Sequence, residues 1–114
     1  MSQSILFVCM GNICRSPTAE GVFISQLQDS PYRSRISTDS GGTHGYHIGH
    51  PPDPRAIATA ADNGVDLAQL RSRKVKVSDF DDFDLIIAMD NQNLSILEDL
   101  QPAGSKAQLK LMLD

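Results

Sequence analysis

The chain has 114 residues, enough for one domain and too few for two. Ten basic against fourteen acidic side chains leave a net charge of −4, which argues against nucleic acid as the main partner, because a phosphate backbone needs a basic face. No apolar run approaches the roughly 20 residues that span a bilayer, and two cysteines behind a start too short for a signal peptide point to reduced thiols and a cytoplasmic chain, not to a disulfide framework or a membrane partner.

Taken in order, the apolar run Ser4 to Cys9 reads as a buried strand. Pro17 sits where a helix would begin, and Ala19 to Leu27 carry a helical pattern with Val22, Phe23 and Leu27 on one side. Arg35 to Asp39 reads as a second strand, and Ser40 to Pro52 as a loop rich in Gly, His and Pro. Asp53 and Pro54 open a helix through Ala61, with Asp53 as N-cap and Gly64 near the end. Asp84 to Met89 is a strong buried strand. Asp90 begins a further helix whose inner face is marked by Leu94, Leu97 and Leu100, and Gln108 to Leu113 is a last strand. Strands alternating with helices predict an α/β fold: a three-layer, doubly wound sheet of four parallel strands with helices on both faces. In such sheets the site lies beyond the carboxyl ends of the strands, and the first strand ends at Cys9.

The segment from Val8 to Pro17 joins a strand to a helix, with five residues between Cys9 and Arg15. That spacing lets a loop curl so that several backbone N–H groups face one centre, and Gly11 and Asn12 tolerate the positive φ angles such a curl requires. The helix beginning near Pro17 adds its positive end. A dianionic phosphate fits there, gripped by the guanidinium fork of Arg15. The same field favours Cys9 as a thiolate, able to attack phosphorus and form a phosphocysteine. Ser16 can donate a hydrogen bond to the sulfur and ease its later departure.

The run Cys9-Met-Gly-Asn-Ile-Cys-Arg-Ser-Pro17 resembles the phosphate loop of the low-molecular-weight protein tyrosine phosphatases. Asp39-Ser40, Gly45-Tyr46, Pro51 to Arg55, Asp79-Phe80, Phe83-Asp84 and Ala88 to Asp90 stand in the order that family shows, so the resemblance covers essentially the whole chain. It implies that Cys9 is the nucleophile and that Arg15 holds the phosphoryl group. It implies that the backbone of Met10, Gly11, Asn12, Ile13, Cys14, Arg15 and Ser16 lines the anion site. Asn12 and Ser40 would brace the loop, and Ile13 and Tyr46 would wall a cleft for the phosphotyrosine ring. The family's general acid is an Asp in an Asp-Pro-aromatic motif beyond the last strand. The chain stops at Asp114, so the reading expects no general acid here and a fold truncated before its C-terminal helix, with turnover impaired accordingly.

Blander readings compete at several positions. Cys14 is either a small buried side chain lining the loop or, as in the family, a redox partner that traps an oxidised Cys9. His44, His47 and His50 read as solvated loop histidines and not as a zinc site, since a metal on Cys9 would block the nucleophile. Arg71, Arg73, Lys74 and Lys76, followed by Asp79, Asp81, Asp82 and Asp84, read as a solvated face whose charges partly cancel. The leading function is metal-free and cofactor-free hydrolysis of phosphotyrosine and aryl phosphate monoesters, with phosphotyrosine proteins and inorganic phosphate or a similar oxyanion as partners. The alternatives are a phosphate- or phosphotyrosine-binding fragment without turnover and a thiol-dependent arsenate reductase. The latter uses redox cysteines beyond the loop, and this chain has none after Cys14.

Overall fold

The computed structural model describes residues 3–11, 15–27, 31, 35–45 and 48–112. Strand β1 (Gln3–Cys9) is central, and its last five residues are all buried. A strand covered on both faces must be apolar throughout, which is why this segment shows no alternation. Strand β2 (Ile36–Gly42) pairs with it in parallel from Gln3 opposite Ile36 to Cys9 opposite Gly42. Strand β3 (Leu85–Ala88) pairs with its other edge, and β4 (Gln108–Leu111) adds outside β3, giving the order β2-β1-β3-β4.

Helix α1 (Arg15–Leu27) joins β1 to β2, and α4 (Asn91–Leu100) joins β3 to β4. The two connections run in opposite directions across the sheet. Right-handed crossovers therefore put the helices on opposite faces, and the order reverses at β1, the usual position of a site in such sheets. Period two then sorts the residues of β1. Leu6 and Val8 join Ile86, Ala88, Leu97 and Phe80 in the core cluster. Phe7 faces α1, where its ring lies 5.8 Å from that of Phe23. Cys9 has the parity of Phe7 and so emerges on the α1 side. Among the described residues no helix is long and apolar enough to cross a membrane.

The doubly wound parallel sheet agrees with the expectation, and the differences are local. Strand β2 does not stop at Asp39 but continues through Gly41 and Gly42, which pair with Val8 and Cys9. Helix α1 starts at Arg15, and Pro17 lies in its first turn, where the missing N–H has no intrahelical partner to lose. Val22 is exposed because it borders a shallow groove of about 450 Å³ between α1 and α2 (Pro54–Asp62), not the sheet. Leu97 is fully buried and Leu94 packs beside it, but Leu100 is exposed at the end of α4. A short helix, α3 (Asp79–Asp82), was not foreseen. Strand β4 ends at Leu111, and Leu113 and Asp114 lie outside the described residues.

The expected solvated charge cluster is in part a buried strut. Arg73 forks onto Asp79, Nη1 to Oδ2 at 3.0 Å and Nη2 to Oδ1 at 3.1 Å, and its Nε donates to Asp39 at 2.9 Å. Asp79 is 2% exposed and also accepts the N–H of Lys76 at 2.7 Å. Burial alone would lower the Arg73 pKa; the two carboxylates outweigh it and raise it. The strut clamps the segment after Leu70 against the carboxyl end of β2. Removing one partner of such a pair strands the other charge, at a cost of about 3 kcal/mol when both are buried. Because Arg73 is partly solvated, Asp79→Ala should cost somewhat less, about 2 kcal/mol in urea denaturation; a loss below about 0.5 kcal/mol would show that the strut carries no stability.

Candidate active site

The end of β1 and the start of α1 meet. Cys9 Sγ lies 3.0 Å from Ser16 Oγ, and both residues are buried. Ser16 is in the first turn of α1, where four backbone N–H groups have no intrahelical acceptor and the helix end carries partial positive charge. When the sulfur is negative the hydroxyl is the donor, and the charge sits beside the positive end of a 13-residue helix.

Three successive carbonyls leaving β1 are held from outside. The Thr43 N–H donates to the Cys9 carbonyl at 2.9 Å, the His44 N–H to that of Met10 at 2.9 Å, and the Ser72 hydroxyl to that of Gly11 at 3.0 Å. In a planar trans peptide the N–H points opposite to the preceding C=O. Fixing the Cys9 and Met10 carbonyls outward therefore turns the N–H groups of Met10 and Gly11 the other way. The approach is close: a Cβ on Gly42 would lie 2.8 Å from the Met10 oxygen and 3.2 Å from the Gly11 carbonyl carbon, so only glycine fits. Ser72 ties in the outer loop as well, donating its N–H to His50 at 2.8 Å and accepting the Gly49 N–H at 2.7 Å.

Arg15 is held by a residue from across the sheet. Its Nη1 lies 2.9 Å from Asp90 Oδ2. Asp90 is the N-cap of α4 and accepts the Asn93 N–H at 2.8 Å through its other oxygen. That backbone bond first, and Arg15 second, hold the carboxyl below its ordinary range. The pair uses one corner of the guanidinium, and the Nε–Nη2 edge has the planar spacing that matches two oxygens of a tetrahedral oxyanion.

Behind this constellation lies Glu20, one turn further along α1 and buried. Its Oε2 accepts from Thr38 Oγ1 at 3.1 Å and its carboxyl also bonds to the Ser40 side chain, while Oε1 has no partner among the described residues. Burial raises the pKa of Glu20 more than these hydrogen bonds lower it.

Cys9 and Ser16 are thus in contact, Arg15 precedes Ser16 on α1 with its side chain on Asp90, and Met10 and Gly11 follow Cys9 directly; Met10 is exposed. Asn12, Ile13, Cys14, Tyr46 and His47 lie outside the described residues. Ser40 is buried and engaged with Glu20, and the Asn12 side of its expected brace is not described. Asp53 caps α2, accepting the Arg55 N–H at 2.8 Å, and that bond lowers its pKa. His44 is half-buried with Nδ1 2.9 Å from Thr43 Oγ1, and no group of three metal-ligating residues occurs among the described residues. Sequence reasoning missed Gly42, Thr43, Ser72, Asp90 and Glu20. The Gly41-Gly42 pair was a usable signal, since two glycines in a strand mark close backbone approach.

The model of the low molecular weight phosphotyrosine protein phosphatase family matches residues 4–114. A low molecular weight phosphotyrosine protein phosphatase of Schizosaccharomyces pombe is 44% identical over 108 residues, 94% of this chain and 69% of that protein. Its human namesake is 39% identical over 113 residues, 97% of this chain and 71% of that protein. The crystal structure of YfkJ from Bacillus subtilis superposes with a TM-score of 0.94 at 38% identity, covering 100% of this chain and 72% of the other.

The raised pKa of Glu20 gives a pH signature. A carboxyl that holds its proton more tightly when folded stabilises the fold at low pH, and that contribution is lost as pH rises from its ordinary value of 4.5 through the higher folded value. Glu20→Gln removes the titration. The melting temperature of the variant relative to the parent should therefore climb with pH in the window that opens above the ordinary value of 4.5. A difference that stays flat across this window would show that Glu20 folds with an unshifted proton affinity.

Proposed function

The chain belongs to the family of low molecular weight phosphotyrosine protein phosphatases, cysteine-dependent hydrolases with phosphoprotein substrates, and on that premise we propose that Cys9 is its nucleophile and Arg15 its phosphate clamp. The Cys9 thiolate attacks phosphorus in line, the bond to the tyrosyl oxygen breaks, and a phosphocysteine forms. Water then attacks that phosphorus, the S–P bond breaks, and phosphate leaves with the thiolate regenerated. The observation that carries this assignment is the 3.0 Å approach of Cys9 Sγ to Ser16 Oγ at a helix N-terminus, with Arg15 next in sequence. Ser16 stabilises the sulfur as nucleophile and as leaving group.

The amides from Met10 to Ser16, those of Asn12, Ile13 and Cys14 included, receive the equatorial oxygens, and inorganic phosphate or a similar oxyanion binds there as product. The inward turn of the Met10 and Gly11 amides supports this reading, and Asn12 and Ser40 brace the loop. Ile13 and Tyr46 are assigned the ring walls and Cys14 the role of redox partner on the family resemblance. We assign the leaving-group proton to no carboxylate of residues 1–114: Asp53 is engaged as a helix cap and Asp90 with Arg15. No metal or nucleic acid enters the scheme. A nucleophilic thiol must stay reduced, which favours a cytoplasmic site of action.

The fork, not merely the charge, is what Arg15 contributes. Lys keeps the charge but loses the planar pair of donors. Arg15→Lys should lower kcat on nitrophenyl phosphate at least about tenfold, a loss of roughly 1.4 kcal/mol of transition-state stabilisation. Unchanged kinetics in this variant would remove Arg15 from the mechanism.

A further inference from the structure

The margin of the site carries a cation with no role in the chemistry above. Lys74 lies beside β2, where Gly42 and Lys74 form an isolated parallel bridge: the Gly42 N–H donates to the Arg73 carbonyl and the Val75 N–H to the Gly42 carbonyl, each at 2.8 Å. Gly42 is in turn the partner of Cys9. The Lys74 backbone is therefore two strand spacings from the nucleophile, about 10 Å, and level with it at the carboxyl end of the sheet. From there the side chain runs along the loop after β2. A methyl group built on Gly45 would lie 3.7 Å from Lys74 Cδ and 3.0 Å from Ile48 Cδ1, so the two side chains flank that glycine. Ile48 is 58% exposed.

The neighbouring arginines are already engaged. Arg15 pairs with Asp90, Arg55 with Asp53, and Arg73 with Asp39 and Asp79, while Arg71 donates to the carbonyls of Ala68 and Leu70. Lys74 is exposed, and among the described residues no carboxylate is within ion-pair distance of it. A chain with a net charge of −4 thus presents an uncompensated positive charge at the rim of the site.

We infer that Lys74 is a specificity residue that reads an acidic side chain flanking the phosphotyrosine of a protein substrate. The inference rests on Cys9 being the reactive centre. An extended peptide advances about 3.3–3.6 Å per residue, so a side chain two or three positions from the phosphotyrosine covers the distance to Lys74. The partner is a phosphotyrosine segment with Asp or Glu at those positions. Because the pair forms at a solvated rim, its effect is a preference and not an absolute requirement: about three- to fivefold at low salt, fading as ionic strength rises.

The test uses the Cys9→Ser chain, which binds without turnover, and two fluorescent phosphotyrosine peptides that differ only in Glu against Gln at the second and third positions on both sides. The acidic peptide should bind about three- to fivefold more tightly. Lys74→Met, which keeps the aliphatic stem along Gly45, should bring the two affinities together, and Lys74→Glu should favour the neutral peptide. Equal affinities in the parent, or a preference that survives both substitutions, would overturn the inference. Turnover of nitrophenyl phosphate by the chain with Cys9 intact reports separately on the phosphatase assignment: its absence would sink that assignment, while the binding ratios would still decide the role of Lys74.

Discussion

The outward tethering of the three carbonyls that leave β1 is the constraint on which the site depends. Thr43, His44 and Ser72 each supply one donor, from two segments remote in sequence. Each such bond contributes only about 1 kcal/mol net, but leaving a buried carbonyl unpaired costs more, so the orientation is strongly preferred. Its consequence is electrostatic. With the oxygens turned outward, the amides and the helix end are what remain to face an anion. The bare Cα of Gly42 is the steric condition for this arrangement, because any side chain there would meet the Met10 oxygen and push the loop away.

The charged residues divide the work by location. Asp90 holds Arg15 and caps α4 at once, linking a residue after β1 to the helix after β3 across the point where the strand order reverses. Asp39 and Asp79 hold Arg73, which keeps the Ser72 segment in place to tether Gly11. Glu20 lies beneath both, held by Thr38 and Ser40 of β2. Buried charge here is structural and supports the geometry of Cys9 and Arg15. Lys74, whose ammonium has no carboxylate within ion-pair distance among the described residues, is left to act outward.

The parallel sheet and the Cys9–Ser16 contact were legible because each follows from a local pattern. Cys9, Arg15 and Ser16 sit within one strand-loop-helix junction, and the central strand announces itself by an unbroken apolar run. The supporting shell was not legible because its contacts are long-range: Ser72 and Gly11 are 61 residues apart, and nothing in the run around Ser72 marks it as a donor to that carbonyl. The basic cluster misled for the same reason. Its charges were read against the acidic residues that follow in sequence, whereas Arg73 turns inward to Asp39 on β2 as well as to Asp79. Leu100 and Val22 carry the helical pattern but stand at a helix end and beside a groove, where that pattern meets solvent.

The central claim is that phosphorus passes through the sulfur of Cys9. Rapid acid quenching of the chain during turnover of a nitrophenyl phosphate labelled on phosphorus, followed by mass mapping of the digest, tests it directly. The account predicts one labelled peptide, that containing Cys9, with the label lost in Cys9→Ser. Turnover with no label on Cys9, or label on another residue that persists in Cys9→Ser, would contradict it.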